Sequence, residues 1–210
     1  MNLLNNFIKI KAEISNLSKN VNLIVITKNQ DFMNIKPIID QGHLHFGENR
    51  VQDALAKWES YLKLNNIINL HYVGKLQSNK IKQAINLFNY IHSLDSEKLA
   101  IALHKEETSS GKKIKYFIQV NIGGEVQKSG VLKSELSTFL NFCKNNTKLD
   151  IIGLMCIPPN DDKSLKYFKE IKQLANEFNF SQTSMGMSQD YKDAILCGAT
   201  FVRIGSSIYA

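Results

Sequence analysis

The sequence predicts an α/β fold: a single-domain (β/α)8 barrel with an extra helix at its N-terminal end. Three observations predict it. Eight short runs rich in β-branched and other apolar residues alternate with stretches of helical periodicity. No Pro/Gly/Ser-rich linker separates them, and 210 residues suit one domain, taken as 1–210. No GxGxxG follows the first strand, which counts against an open dinucleotide-binding sheet.

Leu3, Leu4, Phe7, Ile10, Ile14 and Leu17 recur at helical spacing, so an amphipathic helix is expected over 2–18. Val21–Lys28 follows. Its two alternating sets, Asn22/Ile24/Ile26 and Val21/Leu23/Val25, are mostly apolar, as in a strand covered on both faces. Lys28 ends that strand at the edge where α/β proteins place their chemistry. A helix near 33–41 tolerates Pro37 only in its first turn and stops at Gly42. Residues 43–47 form the second strand, and a helix follows through Val51, Ala54, Leu55, Trp58 and Leu62.

Strand 70–74 precedes a helix over 78–88, and strand 90–94 precedes one capped by Asp95 or Ser96 and running to about Glu107. The clearest strand is 114–122, with a helix from about Ser134 to Asn145 after it. Strand 149–155 leads past Pro158-Pro159 to a helix over 163–178. Strand 180–185, a short helix over 189–197 ended by Gly198, and strand 200–204 complete the eight.

No apolar run approaches the roughly 20 residues of a membrane span, and the first ten residues lack signal-peptide features. Cys143, Cys156 and Cys197 are widely spaced, which suggests neither a disulfide framework nor a zinc site. A cytoplasmic location is expected. The net charge of +7 raises nucleic acid as a partner, but all except Arg50 and Arg203 of the 26 basic residues are lysines mixed with acids. A solvated lysine-rich surface is the simpler reading, and no nucleic-acid or membrane partner is expected.

Closing a barrel sets the last strand beside the first. The loops after strands 7 and 8, Ser184-Met185-Gly186-Met187-Ser188 and Arg203-Ile204-Gly205-Ser206-Ser207, then flank Lys28. Each combines glycine with hydroxyl donors, the recurrent make-up of a phosphate site in such barrels. Either loop alone reads as a helix cap or a turn. Both beside an edge lysine suggest pyridoxal 5′-phosphate (PLP), whose aldehyde condenses with an amine held a ring's width from the phosphate. Arg203 shares the alternation of Phe201, so it reaches either inward toward the ring nitrogen or to a rim salt bridge with Glu48. His43 and His45 have the HxH spacing of some metallohydrolases, but the further ligands are lacking, so they read as structural or rim residues and no metal is assigned. Lys128 follows strand 5 near the mouth, where it meets either Glu125, an anionic ligand or solvent. Cys156 reads as a small buried residue.

The matching stretches are Thr27-Lys28, Phe46-Gly47-Glu48-Asn49, Gly74 to Lys80, Gln119 to Ile122 with Glu125, Lys128-Ser129-Gly130, Gly153-Leu154-Met155, Ser184 to Ser188 with Asp190, and Val202 to Gly205. In this order they resemble the pyridoxal phosphate homeostasis proteins, the YggS/PROSC family, related to the N-terminal barrel of alanine racemases. The resemblance covers nearly the whole chain. It implies that Lys28 carries PLP as an internal aldimine, and that Ser184, Gly205, Ser206 and the backbone at Gly186 and Met187 bind the phosphate. It also implies that Arg203 faces the pyridine nitrogen and that Asn49 lies near the ring. Three positions depart from the family pattern: Asp31 where proline is usual, Lys75 where proline or histidine is common, and Ser206 in place of threonine.

In the related racemases a tyrosine from a C-terminal domain supplies the second acid/base, and this sequence ends five residues after Gly205. The leading expectation is therefore a monomeric protein that stores, delivers or buffers PLP without robust turnover and with no catalytic residues of its own. PLP-dependent apoenzymes are its candidate recipients. The alternative is a single-domain PLP-dependent amino-acid racemase.

Overall fold

The computed structural model describes residues 3–65 and 67–210. The predicted start of the first helix at residue 2 lies outside the described residues. The strands are β1 (Asn22–Ile26), β2 (His45–Glu48), β3 (Asn69–Tyr72), β4 (Tyr90–Leu94), β5 (Lys115–Asn121), β6 (Val131–Leu132), β7 (Asp150–Cys156), β8 (Gln182–Ser184) and β9 (Phe201–Ile204). All pair in parallel, and β1 lies between β2 and β9, while β4 pairs with β5. Eight of them thus close a barrel, as the alternating pattern predicts.

The ninth, β6, has no counterpart in the prediction, because two residues carry no readable periodicity. Val120 pairs with Cys156 of β7 on one edge and with Val131 of β6 on the other. The β4 ladder ends at Leu94 beside Ile118, so β6 occupies the edge of β5 that β4 leaves free.

The helices are α1 (Leu3–Leu17), α2 (Phe32–Asp40), α3 (Val51–Leu64), α4 (Ile81–Leu87), α5 (Glu97–Ser110), α6 (Leu136–Asn146), α7 (Ser164–Glu177), α8 (Tyr191–Leu196) and α9 (Ser206–Tyr209). Short 3-10 turns introduce α4 and α6. In α2, Pro37 falls in the second turn rather than the first, because the helix begins only at Phe32. The bond from residue 37 back to Met33 is thereby lost, and burial of Ile35, Ile38 and Ile39 offsets it. Gly42 ends the element at φ +73, a conformation costly for a residue with a side chain.

Alternation along the strands makes two cores. Leu23, Val25, Phe46 and Leu70 face outward and pack with Trp58 and Phe168 of the surrounding helices. Ile24, Tyr90, Phe117, Met155 and Phe201 face into the barrel. Behind β5, the fully buried Glu107 ties the last turn of α5 to the next strand. Its Oε1 accepts from Ile114 N–H (2.7 Å) and Tyr116 O–H (3.1 Å). Helix α1 buries Phe7, Ile10 and Ile14. Asn6 Nδ2 donates to Ile208 O and Ala210 O at 3.3 and 3.2 Å, and Glu13 accepts from Tyr191 O–H (2.6 Å) and Lys192 (2.9 Å). The leading helix is thus a clasp on α8 and α9, the elements that follow the last two barrel loops.

Candidate functional site

The inward alternation of β1 runs Asn22, Ile24, Ile26, and one more step brings Lys28 to the upper rim. The same parity directs Asn49 after β2, Val73 after β3, Arg203 on β9 and Gly205 just after it. The β1–β9 register, Ile24 opposite Arg203 and Val25 opposite Ile204, brings the last loop against Lys28. These residues line one pocket of about 670 Å³ together with Met187, Ser188, Ser206, Lys128, Gly74 and the Ile157–Asn160 loop. That volume suits a cofactor-sized molecule. Lys28 is exposed to the pocket, and its ammonium makes no hydrogen bond or ion pair among the described residues.

Of the sequence-derived candidates, Lys28, Asn49, Met187, Arg203, Gly205 and Ser206 meet at this pocket, and Ser184 and Gly186 do not. Ser184 is fully buried below it, its Oγ accepting from Arg203 Nη1 at 2.7 Å and lying 2.9 Å from His92 Nδ1. Gly186 has φ +90, and a Cβ there would come within 2.5 Å of Ala194 Cβ, so this glycine lets the loop turn tightly against α8. Its carbonyl accepts from Arg203 N–H. The Met187 amide is already given to Asp190 Oδ1 at 2.6 Å.

Ser188, in the loop expected to form part of a phosphate site but with a helix cap as its simpler reading, lines the pocket. Its Oγ accepts long bonds of 3.4 Å from the amides of Gly205 and Ser207, tying the two loops together. The sequence signal that could have singled it out is its hydroxyl at the end of the loop, where the chain returns to the rim. Lys128 pairs with Glu125 at 2.6 Å and donates to Pro158 O at 3.0 Å, so it braces the far wall.

Arg203 does not reach Glu48; that alternative is corrected. Glu48 points outward, fully buried, where its Oε1 accepts from Lys57 (2.8 Å), Thr27 O–H (2.6 Å) and Trp58 N–H (3.1 Å). Lys57 also donates to Thr27 O. The knot fixes the residue before Lys28, so the end of β1 is held from behind while its lysine faces forward. Arg203 points inward and is itself buried, giving Nη1 to Ser184 and Nη2 to Cys156 O (2.8 Å). Burial lowers its pKa, with no carboxylate in hydrogen-bond contact. Cys156 is buried as expected, and its thiol is pushed up to about 12.

The HxH pair splits. His43 is buried among Phe7 and Phe46 outside the barrel, its Nε2 2.9 Å from His45 O. His45 faces inside, 2.9 Å from His71. Among the described residues no group of three or more metal-ligating side chains is placed to hold a metal. A larger hollow of about 800 Å³ lies on the other side of Asn49, lined by Arg50, Lys75 and Lys80, but it contains no counterpart to the inward-facing Lys28.

Comparison with known proteins agrees with this geometry. Residues 2–210 match the family described as alanine racemase, N-terminal domain. A pyridoxal phosphate homeostasis protein of Haemophilus influenzae is 31% identical, over 100% of this chain and 93% of the relative. One from Helicobacter pylori is 37% identical over 90% and 87%.

The chain belongs to the pyridoxal phosphate homeostasis protein family.

Among solved structures, PipY of Synechococcus elongatus PCC7942 without PLP superposes with a TM-score of 0.91 at 30% identity over 100% of both chains. The same protein with PLP bound gives 0.89 at 30% identity, over 99% of this chain and 100% of that one. An alanine racemase of Clostridium difficile 630, 14% identical, shares the fold with a TM-score of 0.74 and is covered over 55% of its length. Within this homeostasis-protein fold, the departures at Asp31 and Lys75 lie off the pocket wall. Asp31 precedes α2 without a side-chain capping bond, and Lys75 is exposed and attracts Asp95, whose pKa burial raises. Ser206 does line the pocket and keeps a hydroxyl.

Proposed function

We propose that this protein binds PLP covalently at Lys28 and stores, delivers or buffers it in the cytoplasm, without robust catalytic turnover. The observation that carries the proposal is an unengaged amine facing Arg203, Gly205, Ser206 and Ser188 inside one pocket of about 670 Å³. The family names of the relatives and the PLP-bound PipY structure support it. PLP supplies an aldehyde that condenses with a primary amine, with loss of water, and a phosphate that anchors the other end.

The residues fit that group. A Cβ at position 205 would lie 3.2 Å from both Cβ and O of Ile26, a tight approach, so glycine lets the loop press closely against β1. Ser188 already accepts two amides, and its hydroxyl proton remains available to a phosphate oxygen, as does that of Ser206. Arg203 would present its guanidinium, a donor only, to the ring nitrogen of such a group and would favour that nitrogen as an acceptor.

What the pocket omits supports storage over turnover. Racemisation needs a second proton-transfer group facing Lys28 across the ligand. Among the described residues lining the pocket there is no tyrosine, histidine or cysteine. Lys128 is tied to Glu125 and Pro158 O, and Asp190 holds the Met187 amide. The protein acts as a single-barrel monomer that hands PLP to apoenzymes.

Incubation with PLP, borohydride reduction and peptide mapping will place the reduced cofactor on Lys28, and Lys28→Ala will retain none. Labelling spread over surface lysines, unchanged in Lys28→Ala, overturns the proposal. Chiral analysis of amino acids incubated with PLP-loaded protein tests the racemase reading, and steady Lys28-dependent turnover would replace storage by catalysis.

A further inference from the structure

The interior of a (β/α)8 barrel is ordinarily filled by apolar side chains, and a buried polar group there calls for an explanation. Here a line of polar groups crosses it. His45 Nδ1 is 2.9 Å from His71 Nε2, His71 Nδ1 is 2.9 Å from His92 Nε2, and His92 Nδ1 is 2.9 Å from Ser184 Oγ. Arg203 Nη1 closes the line on Ser184 at 2.7 Å. Five strands, β2, β3, β4, β8 and β9, contribute one member each, and the line runs from a half-exposed histidine to the floor of the pocket.

Each contact needs one proton between two heavy atoms, and Arg203 decides where all of them lie. The guanidinium has only donors, so Ser184 Oγ must accept from it. The single hydroxyl proton of Ser184 then has one bonded neighbour left, His92 Nδ1. That nitrogen is therefore bare, and the proton of His92 sits on Nε2 and is given to His71 Nδ1. The same step repeats from His71 Nε2 to His45. Reversing the line would leave the Ser184 hydroxyl proton without an acceptor at a fully buried site.

The rings cannot turn freely to escape this order. His71 stacks on Tyr90 at 4.2 Å and 12°, and His92 stacks on Phe117 at 4.4 Å and 19°. An added proton on His92 finds no free lone pair and faces the Arg203 charge. Burial first, and for His92 then Arg203, lowers the pKa of both His71 and His92 well below the usual value.

We propose that His71, His92 and Ser184, with His45 at the open end, are positioning residues: a column of neutral Nε2–H imidazoles that fixes the plane of Arg203 and engages it without a hydrogen-bonded carboxylate, Asp190 acting on it only across the pocket, so that its charge remains for a ligand. The column reaches the ligand only through the PLP reading given above. The ordering of its protons does not depend on that reading.

The test has two arms. Imidazole nitrogen NMR of the ligand-free protein near neutral pH will show His71 and His92 neutral with the proton on Nε2. An Nδ1–H form or an imidazolium at either position overturns the column whatever the protein binds. In the second arm, His71→Leu removes the acceptor of His92, which frees His92 to protonate Nδ1 and disturb the Ser184–Arg203 bond. PLP affinity will fall roughly tenfold, the worth of one hydrogen bond to a charged group. His71→Gln, whose amide both accepts and donates, will restore most of it. Unchanged affinity in His71→Leu, with the wild type binding PLP, overturns the link to Arg203 while leaving the PLP reading intact. A wild type that binds no PLP defeats that reading instead, and the spectra still decide the proton order.

Discussion

At the scale of single residues, orientation decides chemistry. Lys28 and Thr27 are adjacent, yet one faces the pocket and the other joins the buried Glu48–Lys57 pair. Replacing Lys57 by Met keeps the volume but leaves Glu48 as a buried charge with fewer donors. It will lower unfolding free energy by roughly 3–5 kcal/mol, the usual cost of breaking a buried pair from one side. Urea titration checks this, and adding Glu48→Gln will recover part of the loss. Lys28 is legible in the sequence through barrel closure, which sets the loops after the last two strands beside the end of the first; from its strand alone it reads as a lysine reaching into water. Ser184 and Ser188 were not distinguishable that way. They stand four apart in the sequence with the same hydroxyl, and only the depth of Ser184, set at the end of β8 by its pairing opposite Phe201, separates an interior contact from a pocket wall. The HxH pair, read as structural or rim residues, also divides by depth. His43 precedes β2 and packs against α1, so it does not share the interior with His45.

At the scale of elements, helical and strand periodicity identified every long segment, and the misses are short or terminal. β6 has two residues, and α9 has four in a tail whose sequence predicts no element. Neither length spans enough of a period to be read. Loop-to-loop contacts are equally silent in the sequence, and Gly74 shows what they control. A Cβ on it would lie 2.1 Å from the carbonyl oxygen of Asn49, so the loops after β2 and β3 touch only because residue 74 has none. Gly74→Ala must push those loops apart. It will cost about 1–3 kcal/mol in stability, as overpacking does, and will weaken PLP binding by moving Asn49 and Val73. Thermal melting and cofactor titration together check both effects.

At the scale of the whole molecule, burial keeps histidines neutral both inside the barrel and between its strands and helices, and this sets the response to acid. His43 is pushed by burial from the usual 6.5 down to about 4, and His71 and His92 shift the same way. Between those values the unfolded chain takes up a proton that the folded one refuses. Stability is therefore full above about pH 6.5 and falls as pH drops toward 4, with His43 alone accounting for about 3 kcal/mol. Urea midpoints measured across this range will decline with acid, and His43→Gln will flatten the curve. The clasp of α1 on the end of the chain has a different consequence. Asn6 holds the carbonyls of Ile208 and Ala210, and the amides of Gly205 and Ser207 belong to the same short segment. A ligand that stiffens residues 205–207 must then slow the opening of the leading helix as well, and by reciprocity a loosened helix shortens the ligand's residence. The first turns of the chain are a remote brake on release from a pocket they never touch.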